Sequence, residues 1–336
     1  MTSRGTVAAK QHLPTNHLLY TRIVLCCRAT YHYHLAMRFE GVAMKYTVSM
    51  LALLVSATAA VAADAIISAP VVESRIKGAF EIGGSALRFS NTDDDVTDTL
   101  WGGYASAFAN VDVTPRLIWS SDLQFELLHL SDDEEWDENA PNLVAVAGSS
   151  LNVRLGHSTI GAFGSFGTPS QYDEAEDQSF GWTGGVLLTH AFTADTTLTG
   201  HAGWADIRVD DDDNGFTGYF IGGSVIHGFS DGVALAVAGG YGHANEGFED
   251  DDGSGHFWNV GIKGAFKVSS DLPIFATASY DYRDYTANTE DDGNEHAFRL
   301  GLAIALGGAG TAKDTFNAFQ TPTMPYRAAA WGAVLD

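Results

Sequence analysis

The sequence predicts an all-β protein: an up-and-down antiparallel transmembrane β-barrel of about 12 strands, with long acidic loops at one end and short turns at the other. Three observations carry this reading. Acidic runs recur at Asp93, Asp132, Asp173, Asp211, Asp250 and Asp291, a spacing of about 40 residues. Between neighbouring runs lie two long strand-like stretches and one short turn. Where the faces of a stretch can be read, an apolar set alternates with a smaller or more polar one.

Taken in order, the strands are expected at 78–90, 98–112, 116–130, 142–155, 158–168, 178–192, 196–209, 216–229, 232–245, 255–268, 272–286 and 295–307. Each exceeds the usual strand length and suits a tilted membrane crossing. The joins from odd to even strands are the acidic loops. The others are short: Val113-Thr114-Pro115, Gly156-His157, Thr193-Ala194-Asp195, Ser230-Asp231 and Ser269-Ser270-Asp271.

Alternation is clearest late in the chain. In the tenth strand Trp258, Val260, Ile262, Phe266 and Val268 share a face opposite Asn259, Lys263 and Lys267. In the twelfth, Phe298, Leu300, Leu302, Ile304 and Leu306 oppose Arg299 and small residues. A wholly apolar outer face is what lipid contact demands. The third strand is ambiguous, since Ile118 and Leu128 fall on the face of Asp122, Gln124 and Glu126, and the Gly-rich fifth strand fixes no face. Aromatic residues sit near strand ends, at Phe180, Trp182 and Phe192, at Tyr219 and Phe229, and at Trp258 and Phe266. Ten residues of tilted strand span about 25 Å, the height of an apolar membrane band.

The amino-terminal region reads as an address. Met44-Lys45 followed by an apolar run from Val48 to Val61 and small residues at Val61-Ala62-Ala63 describes a cleavable signal peptide over 44–63. Residues 1–43 are expected to be an upstream extension from a misassigned start, and 64–77 a periplasmic segment before a barrel at 78–307. The tail 308–336 has no assigned role. The first 63 residues carry six Lys/Arg and one acid, which leaves 12 basic and 41 acidic side chains in the remainder. Such a negative surface excludes nucleic acid as a partner. Both cysteines, Cys26 and Cys27, precede the signal, so the exported chain needs no disulfide.

With these features the chain resembles the porin-like outer-membrane β-barrels of Gram-negative bacteria. The resemblance rests on architecture over the signal and 78–307, with no diagnostic short motif. It departs from the pattern at its end, where the last strand gives way to Gly307-Gly308-Ala309-Gly310 and a long tail in place of a terminal aromatic residue. It implies a bacterial outer-membrane location with periplasmic turns and extracellular loops. The implied partners are membrane lipid, lipopolysaccharide and the barrel assembly machinery.

Inward positions are expected to present Glu81, Asp122, Glu126 and Arg154 on one arc and Lys263, Asp281, Arg283 and Arg299 on another, which tunes the passage of ions or small solutes through a pore. The opposing expectation is a filled lumen, with Asp281 and Arg299 paired across the last hairpin. A non-conducting barrel serving as adhesin, receptor or structural anchor is the alternative function. The acidic loops hold 26 Asp/Glu and no Lys/Arg, so Ca²⁺ or Mg²⁺ can gather loosely there. Asp210, Asp212 and Asn214 imitate the start of a calcium loop, but Ile221 stands where a closing Glu belongs. No enzyme activity and no resident cofactor are expected. The one catalytic suggestion, lipid hydrolysis by a His129-Leu130-Ser131 pair with Asn139 or Asn142 orienting, has no second feature behind it. His190, His201, His227 and His243 lie on separate strands and read as interface or lumen residues. A six-bladed propeller shares the 40-residue period but needs four short strands per repeat.

Overall fold

The computed structural model describes residues 75–91, 96–130, 143–170, 180–208, 215–246, 254–287, 292–307 and 310–332. Twelve antiparallel strands form one closed sheet: β1 (Ile76–Asn91), β2 (Val96–Thr114), β3 (Leu117–Leu130), β4 (Leu143–Leu155), β5 (Ser158–Ser170), β6 (Phe180–Ala191), β7 (Thr196–Arg208), β8 (Gly215–Ser230), β9 (Val233–Glu246), β10 (Gly255–Lys267), β11 (Ile274–Ala287) and β12 (Asp292–Leu306). Every strand pairs with its sequence neighbours, and β1 closes the cylinder on β12 from Gly78 opposite Leu306 to Asn91 opposite Gly293. This meander excludes the propeller. Closure leaves no unpaired sheet edge, the condition for a sheet to sit in hydrocarbon.

The outer face is apolar for the reason the alternation gives. Phe298, Leu300, Leu302 and Ile304 of β12 and Trp258, Val260, Ile262 and Phe266 of β10 all point outward and are exposed. So are the end-of-strand aromatics Phe180, Trp182, Phe192, Tyr219 and Phe229. His190 and His227 lie outward beside two of these rings, with ring centroids 4.7 Å from Phe192 and 4.5 Å from Phe229. His243 lies 5.4 Å from the Tyr219 ring, tilted against it, in the same outer layer.

The interior departs from a uniformly polar lumen. Toward the loop end, inward residues form an apolar belt that includes Leu87, Phe89, Leu128, Val144, Phe216, Phe257 and Tyr285. A smaller cluster of Ala234, Ala265, Phe275 and Ala305 lines the turn end. In β3, Ile118 and Leu128 do point inward with Asp122 and Glu126, and Leu128 belongs to the loop-end belt. In β5, Thr159, Phe163, Ser165, Gly167 and Pro169 are the buried inward positions.

What fills both clusters is the carboxyl-terminal tail. After β12 the chain turns back at the turn end, forms a 3₁₀ turn (Ala312–Thr315), crosses the lumen and ends in helix α1 (Met324–Gly332). Pro325 in the first turn and the Ala328-Ala329-Ala330 run suit a helix start and body. The tail is the one segment whose place the strand pattern does not announce.

Candidate functional site

The site is the lumen and the tail within it. Twelve strands about 4.8 Å apart and tilted about 40° make a circumference near 75 Å and a backbone diameter of about 24 Å. Once inward side chains take their share, the remaining bore is close to the roughly 10–12 Å width of one helix with its side chains. A single helix therefore closes this barrel.

The tail is anchored at three levels. At the turn end, Ala312 N–H donates to Asp231 O at 2.8 Å and Lys313 Nζ to Ala194 O at 2.7 Å, so the tail grips two of the short turns. Ala312 itself is buried in the lower apolar cluster, with Phe316 packed against it.

At mid-height the inner face of β3 supplies Asp122, Gln124 and Glu126. Thr321 donates its hydroxyl to Asp122 Oδ2 at 2.7 Å and its backbone N–H to Oδ1 at 3.3 Å, while Gln124 Nε2 donates to Thr321 O at 3.3 Å. The tail comes so close here that a Cβ on Gly148 would stand 2.1 Å from Thr321 Oγ1. Glycine is required there for space.

Helix α1 completes the seal. Arg327 pairs with Glu126, and both are buried. Tyr326 is wholly buried in the upper belt with Ala328 and Ala329. Its hydroxyl lies 3.1 Å from Ser165 Oγ, which in turn bonds Thr183 at 2.6 Å.

The inward charges named from the sequence meet across this interior. Lys263 pairs with Glu81, which also accepts from Thr277 at 2.7 Å and Tyr104 at 2.8 Å. Arg299 grips Glu126 with Nε at 2.8 Å and Nη2 at 2.9 Å, and reaches Asp281 with Nη1 at 2.7 Å. Arg283 pairs with Glu295, a partner the sequence reading did not include. Arg154 stands apart at the turn-end rim, bound to Asp112 at 2.9 Å and to Pro115 O at 3.0 Å. Glu81 and Glu126 of one arc thus take up Lys263 and Arg299 of the other, and Asp122, which has no basic partner among the described residues, holds the tail.

Between the two apolar seals lies a cavity of about 370 Å³, bounded by the tail and by the inner wall of β7 to β11 together with parts of β1 to β3. Ala238 faces inward yet is exposed to solvent. The chamber is therefore open enough to hold water.

Asp210, Asp212, Asn214, Ser131, Asn139 and Asn142 lie outside the described residues, as does the signal region. His129 belongs to β3. Of the four strand histidines, His201 alone faces the chamber. Among the described residues no three His, Cys, Asp or Glu side chains gather as a metal site would require. The sequence missed Arg327, Thr321 and Tyr326, although a lone Arg beside a Pro-led Ala run in a tail was the available signal.

A closed antiparallel barrel of 12 strands with an apolar exterior and an internal segment is the fold of porin-like outer-membrane β-barrels, and the chain is similar to them in fold. No protein-family model matches the sequence, and no curated protein does. Solved structures do. An outer-membrane channel from Pseudomonas putida F1 overlaps with a TM-score of 0.50 at 12% identity, covering 71% of this chain and 100% of that one. The TodX monoaromatic hydrocarbon channel overlaps at 0.46 with 9% identity, over 71% of this chain and 91% of that one. The KdgM porin, in complex with oligogalacturonate, overlaps at 0.36 with 9% identity, over 66% and 98%. At these identities the likeness is one of fold.

Proposed function

We propose that this protein is an outer-membrane channel for small solutes, closed in the described conformation by its own carboxyl-terminal segment. The observation that carries the reading is a bore one helix wide, filled by a segment that the wall holds through side-chain contacts to β3 and β5 and through two of the short turns. A plug of this kind can leave without dismantling the sheet, because Glu126 keeps Arg299 when Arg327 departs. The barrel lies in the outer membrane with its turns toward the periplasm and its loops outside, in contact with lipid and lipopolysaccharide, and reaches that site through the barrel assembly machinery. An outer-membrane channel with the same fold supports this use of the architecture.

The rival is a permanently closed barrel acting as an anchor, adhesin or receptor, and the three-level anchoring of the tail is what favours it. One experiment separates the two. Refolded chain from residue 64, with and without residues 308–336, is placed in planar lipid bilayers. The channel reading expects few events from the complete chain and frequent discrete steps from the shortened one. A shortened barrel that is folded by heat-modifiable gel migration yet passes no current belongs to the rival.

A further inference from the structure

We propose that the 370 Å³ chamber between tail and wall is a binding compartment for a neutral saccharide of one or two rings. The inference rests on the channel reading and names the class of solute the channel takes. The volume falls within the range of small-molecule sites.

Three properties of the lining select the guest. First, the charged groups of the lining are already committed: Lys263 to Glu81, Arg299 to Asp281 and Glu126, Arg283 to Glu295, and Asp122 to Thr321 of the tail. A charged guest would have to break these pairs or enter unpaired, and either is unfavourable in a confined space.

Second, uncharged hydrogen-bonding groups line the chamber without being used up by the protein. His201, Asn259, Ser106 and Ser279 all contribute to its wall. No hydrogen bond joins any of their side chains to another described residue, and they bond water or guest. Asn317 Nδ2, on the tail, is buried without an acceptor among the described residues. A hydrocarbon guest would displace water from these groups and leave them unsatisfied, whereas ring hydroxyls replace that water bond for bond.

Third, aromatic rings stand among the polar groups. Phe220, 6.1 Å from the His201 ring, is buried in the wall, and Phe316 of the tail carries Lys263 Nζ over its ring at 5.7 Å. The edges of these rings give the C–H side of a sugar ring dispersion contact. Glycine lets these polar side chains lie along the wall: a Cβ on Gly222 would stand 2.6 Å from His201 Nε2, and one on Gly240 would stand 2.8 Å from Asn259 Oδ1. A side chain at either position would push its polar neighbour out of place.

The test is isothermal titration of the complete chain from residue 64, refolded in detergent, with glucose and with maltose, and with glucuronate and toluene as contrasts. Saturable binding of glucose or maltose is expected, at least tenfold tighter than either contrast. Gly240→Val and Asn259→Leu are each expected to weaken it at least tenfold while gel migration of the folded barrel is unchanged. Absence of saturable binding by both sugars, tighter binding of toluene or glucuronate, or full binding by both folded variants overturns the proposal. Bilayer current through the chain lacking 308–336 is read separately. Current without sugar binding would sink the saccharide assignment alone, whereas absence of current would sink the channel reading beneath it.

Discussion

Loosening the tail without removing it is the sharpest perturbation the structure suggests, and the double variant Thr321→Val with Arg327→Met does so while conserving volume. Val at 321 removes the hydroxyl bond to Asp122, and Met at 327 removes the pair with Glu126. Bonds to a charged partner each contribute about 1.5–3 kcal/mol. The cost at Glu126 belongs in that range and below the larger penalty of an orphaned buried charge, because Arg299 continues to hold the carboxylate. The two contacts are four residues apart along β3, roughly 13 Å, so their effects are expected to add. Together they weaken seating of the tail by about 3–6 kcal/mol, on the order of 10²- to 10⁴-fold in the ratio of released to seated forms. The assay is open probability in single-channel records, with each single substitution giving roughly the square root of the combined factor. A double variant indistinguishable from the natural chain, in a setting where removal of 308–336 does produce current, would refute the assignment of these two residues as the latch.

Other expectations follow from the same geometry. Leu300→Arg places a charge at mid-height on the lipid face, where the native side chain is 69% exposed; it should lower folding stability in bilayers by about 2–4 kcal/mol, read by denaturant titration of the folded gel band. Lys263→Met leaves Glu81 buried with only Thr277 and Tyr104 as donors, and should destabilise the barrel by up to about 3 kcal/mol in the same titration, with Glu81→Leu on top restoring most of the loss. Neutralising Lys263, Arg283 and Arg299 together should reduce the yield of folded barrel before it changes ion preference, since each is committed to an acid; an intact yield with a shifted reversal potential would show that the pairs are dispensable.

The strands were legible because membrane burial imposes a period of two on the outer face, and each of the 12 spans read from the sequence lies within three residues of the observed strand. The contact of Asp281 with Arg299 was open to expectation because both lie on the inner face of the last hairpin, where it forms diagonally, Arg299 being opposite Ser279 and Asp281 opposite Ala297. The tail was not legible. Its partners lie about 200 residues away, Thr321 on Asp122 and Arg327 on Glu126, and no local pattern encodes a contact of that separation. An indirect sign was nevertheless present. Inward Phe and Leu such as Phe89, Leu128 and Phe257 make little sense against water and require an apolar occupant, which the Tyr326 and Ala328-Ala329 face of α1 provides. Reading Leu128 only as an ambiguity of the third strand concealed the message it carried. The same assumption of a wet interior led to the expectation that Lys263 and Arg299 face an open path, whereas acids opposite them take up their charge.

The placement of the tail inside the cylinder is open to direct chemical test. The chain from residue 64 contains no cysteine, and a Cβ on Gly148 would stand 2.8 Å from Thr321 Cβ, within about 1 Å of the separation a disulfide needs. In the variant Gly148→Cys with Thr321→Cys, folded in membranes and exposed to mild oxidant, the account predicts near-complete intramolecular cross-linking and silence in the bilayer while the bond persists. It predicts no cross-linking when Gly148→Cys is combined instead with a cysteine substitution at an outward position, such as Leu300→Cys. Free thiols at both positions after oxidation of the folded barrel would place the tail elsewhere and contradict the account at its root.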